Sequence, residues 1–188
     1  MKLLALALAA VILPGSALAD ITAGMRKSAS CTTCHGNDGN SAAAAYPNLA
    51  GQTAEYLVKQ MTDLKEGRRS SPVMSPMIQI MTPEDIRDLA DYFSAQVPSA
   101  STFRPDPDRV AEGKKLAVEG KCTACHQTNF KGLGLMPRVS RQQYNYTVKQ
   151  LKDFRDGVRT NDNGMMAPNT KDLTDDQIKS LAHYLSTL

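Results

Sequence analysis

The feature that most constrains this chain is a short motif that occurs twice. Each copy places two cysteines three positions apart and a histidine directly after the second cysteine. The first copy, CTTCHGNDGNS, begins at Cys31, and the second, CTACHQTNFKG, begins at Cys122. Together they contain all four cysteines and two of the three histidines of the 188-residue sequence. Any fold must therefore hold one Cys-x-x-Cys-His group in a compact turn in each half of the chain.

The amino terminus indicates where these cysteines act. Lys2 supplies a positive start, an apolar run extends from Leu3 to Leu13, and Ala17-Leu18-Ala19 has the small-x-small pattern of a signal-peptidase site. The apolar run has 11 residues, whereas a helix needs about 20 to cross a bilayer. We therefore predict a cleaved signal peptide over residues 1–19 and an exported, soluble mature chain.

The four cysteines of an exported chain are ordinarily assigned to two disulfides. A pair of thioredoxin-like redox sites and a Cys/His zinc site would also use cysteines at this spacing. The redox pair rarely occurs twice without a βαβ pattern, and each motif offers only three zinc ligands. Disulfides, redox pairs and zinc all explain the histidine after each cysteine pair less well than a covalently attached cofactor does.

Cys-x-x-Cys-His is the attachment signature of c-type haem. Two thioethers hold one edge of the ring, and the histidine that follows reaches one axial side of the iron. Two motifs that use every cysteine favour two covalently bound haems c. The predicted residues are Cys31, Cys34 and His35 for the first haem, and Cys122, Cys125 and His126 for the second.

The haem motifs belong to a longer internal repeat. Residues that match at an offset of 90 positions are Pro47 and Pro137, Gln52 and Gln142, Tyr56 and Tyr146, Lys59-Gln60 and Lys149-Gln150, and Gly67 and Gly157. The stretch between the copies, PSASTFRPDPD, contains three prolines and cannot continue a helix. We therefore predict an extended linker over residues 98–108 between domains at residues 20–97 and 109–188.

Each copy carries the same pattern of helices, so we predict an all-α fold. A short helix precedes each haem motif, over residues 109–119 in the second copy. A longer helix follows, over residues 53–66 and then 146–156, and a glycine ends it in both copies. The last helices begin at Thr82 and Thr174, the second with a Thr-x-x-Gln capping box.

The sixth iron ligand is predicted from the repeat. Methionine is the usual partner of histidine in cytochromes c, and the chain has nine methionines. Met74 and Met166 match when the copies are aligned back from the last helix, whereas Met77 and Met165 have no methionine opposite them. We therefore predict Met74 and Met166 as axial ligands. The remaining histidine, His183, is predicted to be a helix-surface residue and not a ligand.

The chain resembles the dihaem cytochromes of the c4 type over essentially its full mature length. The resemblance rests on CTTCHGNDGNS, PNLAGQTAEYLVKQMTDLKEGRR, MSPM, CTACH and YTVKQLKDFRDGVRTND. It implies two tandem class I cytochrome c domains, each wrapped around one covalently bound haem c. It also implies a periplasmic electron carrier that feeds a terminal oxidase or reductase and is sometimes loosely membrane-associated. Copy two departs from the pattern where PRVSRQ replaces PNLAGQ.

Charge and coordination bear on the function class. A haem enzyme needs an open iron site, whereas both irons here have a predicted sixth ligand, so we predict a carrier and not an enzyme. The alternative is an electron-transfer subunit of a periplasmic oxidoreductase such as a thiosulfate dehydrogenase. Residues 20–97 contain seven basic and nine acidic side chains, and residues 98–188 contain fourteen and ten. These opposed charges are consistent with ordinary variation of surface residues or with different donor and acceptor proteins, and the small net charge argues against nucleic acid.

Overall fold

A computed structural model describes residues 21–100 and 102–188, so the predicted signal peptide lies outside the described residues. Within the described ranges the chain is helical, and its β pairing is confined to one isolated bridge between Leu133 and Met136. No helix in these ranges is both long and apolar enough to cross a membrane. The predicted all-α fold is confirmed.

In the described part of the chain, two sets of five α-helices follow one another. The first set is α1 (Ile21–Lys27), α2 (Thr32–His35), α3 (Ala54–Lys65), α4 (Met74–Gln79) and α5 (Pro83–Ser94). The second set is α6 (Pro107–Glu119), α7 (Thr123–His126), α8 (Tyr144–Arg155), α9 (Ala167–Thr170) and α10 (Asp175–Ser186). A 3-10 turn at Ser28–Ser30 joins α1 to the first haem motif. The sets correspond helix by helix, as the sequence repeat predicts.

The helix ends follow local rules of capping. Gly67 (φ 76°) and Gly157 (φ 69°) take the left-handed conformation just beyond α3 and α8, so the predicted glycine stops are confirmed. Capping boxes join Thr82 to the third residue of α5 and Thr174 to that of α10. Helix α6 begins earlier than predicted because Asp106 caps it and a proline follows at the first helical position.

The first and last helices of each domain pack closely at a glycine. Helix α1 contacts α5, and helix α6 contacts α10. A Cβ atom added to Gly24 would lie 2.1 Å from the carbonyl oxygen of Asp88, and one added to Gly113 would lie 2.0 Å from that of Ser180. Only glycine therefore permits these helix crossings, which close each domain.

Each domain has a small core beside its haem motif. The first is formed by Leu57, Leu89, Ala90, Tyr92 and Phe93, and the second by Ala117, Phe130, Leu181 and Leu185. Cys31 packs against the first of these clusters and Cys122 against the second. The first cysteine of each motif is therefore anchored on its domain's own core.

Candidate functional site

Each Cys-x-x-Cys-His motif forms a single helical turn. Cys31 precedes α2 directly and Cys122 precedes α7 directly, so the second cysteine and the histidine of each motif lie on the following turn. The four cysteines form no disulfide. Burial raises the pKa of the Cys31 and Cys122 thiols. The Cys31 and Cys122 side chains are therefore neutral thiols, and each lies on the same turn as the second cysteine of its motif.

Both motif histidines are buried and held by a proline carbonyl. The Nδ1 atom of His35 lies 2.9 Å from the carbonyl oxygen of Pro47, and Nδ1 of His126 lies 2.9 Å from that of Pro137. A carbonyl only accepts hydrogen bonds, so Nδ1 carries the hydrogen and Nε2 keeps its lone pair. Burial lowers the pKa of both imidazoles, against the opposing effect of the carbonyl. The neutral, ligating tautomer is therefore favoured at neutral pH.

The Nε2 atom of His35 is buried and has no hydrogen-bond partner among the described residues. A buried nitrogen lone pair without a partner is costly unless a ligand or metal occupies it. Together with two thiols on the same helical turn, this nitrogen is the donor set that a covalently attached haem requires. The residues present therefore fit a haem c.

The loop after each histidine has the same backbone path in both domains. Gly39 (φ 82°) accepts hydrogen bonds from the backbone N–H groups of residues 49 and 50, and Phe130 (φ 55°) accepts the same pair from residues 139 and 140. These bonds fold the loop back so that the proline carbonyl faces the histidine ring. The second domain keeps this path although a phenylalanine replaces the glycine.

The two candidate methionine ligands occupy matching positions. Met74 is the first residue of α4, and Met166 directly precedes α9. Both are half-buried, and Met74 packs against the cluster that contains Ile78. Met77 and Met165 are more exposed, at 39% and 44%. Burial therefore agrees with the repeat, while the ligand assignment itself stays a prediction.

Two glutamines join the domains in a reciprocal arrangement. The side chain of Gln52 accepts from the backbone N–H of Arg138 at 2.7 Å and donates to its carbonyl oxygen at 2.9 Å. The side chain of Gln142 does the same to Asn48, accepting at 2.7 Å and donating at 3.0 Å. All four residues are buried. We call these two contacts the glutamine clamps.

The glutamine clamps act on the loops that orient the histidines. Asn48 directly follows Pro47, and Arg138 directly follows Pro137. The backbone that holds each histidine is therefore hydrogen-bonded to a glutamine of the other domain. This places the two haem motifs in one fixed unit.

A second interdomain cluster surrounds two matching arginines. Their partners are neutral oxygen atoms that lie between 2.6 and 3.1 Å away, on Tyr56, Gln60, Tyr146, Gln150 and Asn161. Arg69 and Arg159 each contact both domains in this way. Although burial acts to raise the pKa of Asp63, hydrogen bonds from Lys59, Asn161 and Arg68 hold that pKa below its usual value. The interface is therefore polar and rich in cationic side chains.

The prediction that His183 lies on a helix surface is wrong. His183 is buried, with ring centroids of Phe103 and Tyr144 5.0 and 4.9 Å away. Its Nδ1 atom accepts a hydrogen bond of 3.0 Å from the backbone N–H of Asp106. The segment before α6 folds onto α10 and covers the ring, which the helical pattern of α10 alone does not indicate. His183 serves to anchor that segment.

Several residues that hold the histidine loops or the interface were recognisable in the sequence as repeat matches, but their role was not. Pro47, Gln52 and Tyr56 each match an identical residue in the second copy, because each makes the same contact in both domains. The buried side chain of Arg138 had no such signal, since asparagine stands opposite it.

Comparison with known proteins agrees with this geometry. The cytochrome c family model matches residues 21–95 and 110–188. Cytochrome c4 of Pseudomonas aeruginosa is 38% identical, over 92% of this chain and 90% of that protein. The thiosulfate dehydrogenase electron acceptor of Stutzerimonas stutzeri is 32% identical, over 84% of this chain and 78% of that protein.

Solved structures give the same result. The crystal structure of reduced recombinant cytochrome c4 from Pseudomonas stutzeri matches with a TM-score of 0.86 and 38% identity. The match covers 91% of this chain and 100% of that chain. Two cytochrome c domains in one chain, each with a Cys-x-x-Cys-His turn, account for two haems c and for an electron-transfer function. The chain belongs to the dihaem cytochrome c4 family.

Proposed function

We propose that this chain is an exported, periplasmic carrier that takes electrons from one redox protein and delivers them to another in a respiratory chain. The observation that carries the proposal is the pair of glutamine clamps, which hydrogen-bond the two histidine-holding loops to each other. A carrier that collects electrons at one domain and releases them at the other needs its two centres in a fixed relation. The clamps supply that relation.

The cysteines and histidines proposed for each haem follow from the two motifs, and the methionines follow from the internal repeat. Two cysteines would hold each ring, and a histidine and a methionine would hold each iron: Cys31, Cys34, His35 and Met74 in the first domain, and Cys122, Cys125, His126 and Met166 in the second. When bound, the two haems supply two one-electron couples. The chain's own contribution is to keep both imidazoles neutral, oriented and shielded from water.

A carrier role is favoured over catalysis by the ligand set. Haem catalysis needs an iron position that substrate can occupy, whereas the proposed histidine and methionine would together leave no such position open. Relatives named cytochrome c4 support the same interpretation. The chain is therefore proposed to exchange electrons and not to transform a substrate.

The unequal charges of the domains support separate docking faces for donor and acceptor. Attraction between exposed charges is screened beyond about 8 Å at physiological ionic strength. The test mixes the purified dihaem protein, in a stopped-flow spectrometer, with a reduced periplasmic donor and with oxidase-containing membranes. We expect both reactions to proceed and to slow as salt is raised. Failure of oxidase-containing membranes to oxidise the protein at any salt concentration would contradict the respiratory role.

A second candidate is a dedicated subunit that accepts electrons from a thiosulfate-oxidising enzyme. The observation in its favour is the similarity to the thiosulfate dehydrogenase electron acceptor of Stutzerimonas stutzeri. A permanent subunit should co-purify with its enzyme through gel filtration in high salt, and thiosulfate should then reduce both haems. A free carrier should elute alone and remain oxidised in thiosulfate.

A further inference from the structure

The interface contains a fully buried arginine. Arg138 is only 2% exposed, and its Nε atom is buried without a hydrogen-bond partner among the described residues. Its Nη1 donates to the carbonyl oxygen of Ser140, and its Nη2 reaches the carbonyl oxygen of Asn48 only at 3.5 Å. The guanidinium therefore has one close neutral partner and one distant one, and its Nε–H is unused.

No ion pair between described residues includes Arg138. Burial and the nearby charge of Arg141 lower the pKa of Arg138 to about 10, so it remains charged at neutral pH. A buried charge without a charged partner is strongly unfavourable. A fully buried guanidinium with an unused donor is therefore a candidate site for an anion.

The position of Arg138 identifies the anion. Arg138 follows the proline whose carbonyl holds His126, and its side chain extends to Asn48, which follows the proline that holds His35. It therefore lies between the two haem-holding loops. Each haem carries two carboxylates, the propionates, so the cofactor that each motif would hold brings its own anions. We propose that Arg138 binds a haem propionate at the domain interface through its unused Nε–H and its distant Nη2.

The proposal distinguishes the two domains. The residue opposite Arg138 in the first copy is Asn48, whose side-chain amide already donates to the carbonyl oxygen of Arg141 at 2.7 Å and accepts from the backbone N–H of Ser41 at 2.9 Å. Only the second copy therefore offers a cation with donors to spare. A positive charge beside a haem disfavours the ferric state, which is the more positive one, and so raises the reduction potential. Arg138 thus contributes to the difference in potential between the two haems.

The experiment measures both midpoint potentials of the purified dihaem protein by optical redox titration. Arg138→Gln removes the charge, Arg138→Asn installs the residue that the first domain tolerates here, and Arg138→Lys keeps the charge. For the two neutral variants, we expect the equilibrium constant for reduction of one haem to fall about tenfold, which is ~59 mV for a one-electron couple. The other haem should change less, and Arg138→Lys should retain most of the wild-type potential.

A matched control is Arg141→Gln, because Arg141 lies in the same loop but is exposed and bonds the carbonyls of Pro98 and Leu188. It should leave both potentials nearly unchanged. Thermal unfolding of each variant separates potential from stability. If the neutral Arg138 variants lose stability while both potentials stay at their wild-type values, the arginine only supports the neighbouring carbonyls and the proposal is wrong.

Discussion

The first residue after each motif histidine has the same unusual backbone in both domains. Gly36 has φ 79° and ψ 162°, and Gln127, its counterpart, has φ 66° and ψ 161°. This region of backbone space is essentially confined to glycine, and another residue held there is strained by about 1–3 kcal/mol. The surrounding loop imposes the conformation, because the first domain has it with glycine and the second keeps it without.

We expect Gln127→Gly to raise the free energy of unfolding by about 1 kcal/mol. Relief of backbone strain exceeds the extra entropy that glycine gives the unfolded chain, which is about 0.5–1 kcal/mol. Urea denaturation of the haem-loaded protein measures the change. The control is Gly36→Ala, whose Cβ would lie 2.2 Å from the carbonyl oxygen of Asn40 and should destabilise. A loss of stability in Gln127→Gly would show that the glutamine side chain makes a contact that outweighs the strain.

The predicted methionine ligands are also tested one residue at a time. Met74→Ala and Met166→Ala should each abolish the weak far-red sulfur-to-iron absorption band of one haem and lower the potential of that haem, because thioether sulfur favours reduced iron. Met77→Ala and Met165→Ala are the controls, and they should keep both bands. Loss of a band in Met77→Ala or Met165→Ala, with the band intact in its neighbour's variant, would place the ligand at the control position.

At the scale of single elements, helix ends were more predictable than helix crossings. The glycine stops and capping boxes depend on residues within one or two turns, so the sequence predicts them directly. Helix α8 begins at Tyr144, before the predicted residue 146, because Gln143 takes a non-helical conformation (ψ 130°) and serves as the cap. The close contacts at Gly24 and Gly113 involve residues more than 60 positions away, and nothing local distinguishes these glycines from loop glycines.

We expect Gly24→Ala and Gly113→Ala each to lower the free energy of unfolding by about 1–3 kcal/mol, the usual cost of overpacking a tight contact. The methyl group would overlap a backbone carbonyl of the facing helix, so α1 or α6 must move outward. Gly67→Ala is the control, because its added methyl meets nothing within 4 Å and costs only left-handed backbone strain. Urea unfolding monitored by haem absorbance reports the difference. Equal losses in all three variants would mean that helix contact is unimportant.

At the scale of the whole molecule, the sequence predicts the two units but not how they meet. The repeat shows that Gln52 and Gln142 correspond. From the sequence alone, however, both glutamines would be predicted to lie on the surface. Their partners lie 86 and 94 positions away, and no local rule connects residues at that separation. Arg138 is hidden for the same reason, since a charged residue in a loop is ordinarily exposed.

Removal of a glutamine clamp should loosen the interface. Gln52→Ala leaves the buried N–H and carbonyl of Arg138 without partners, and Gln142→Ala leaves the buried N–H of Asn48 without one, at about 1–3 kcal/mol for each unsatisfied group. We expect lower stability and a thermal unfolding transition that separates into two steps, one for each domain. Calorimetry of the haem-loaded protein tests this expectation. Gln96→Ala, which removes a bond to Tyr92 within the first domain, should leave the two domains unfolding together.

The reciprocal form of the glutamine clamps has a consequence for a shorter chain that contains one cytochrome c domain. Gln52 holds the residue after Pro137, and Gln142 holds the residue after Pro47, so one patch meets a near copy of itself. Such an isologous contact is closed by two-fold rotation and can be made by two separate identical subunits. Joining the copies through the segment between α5 and α6 makes that encounter intramolecular. Its effective local concentration is then about millimolar, the range that short flexible tethers give, however dilute the protein becomes.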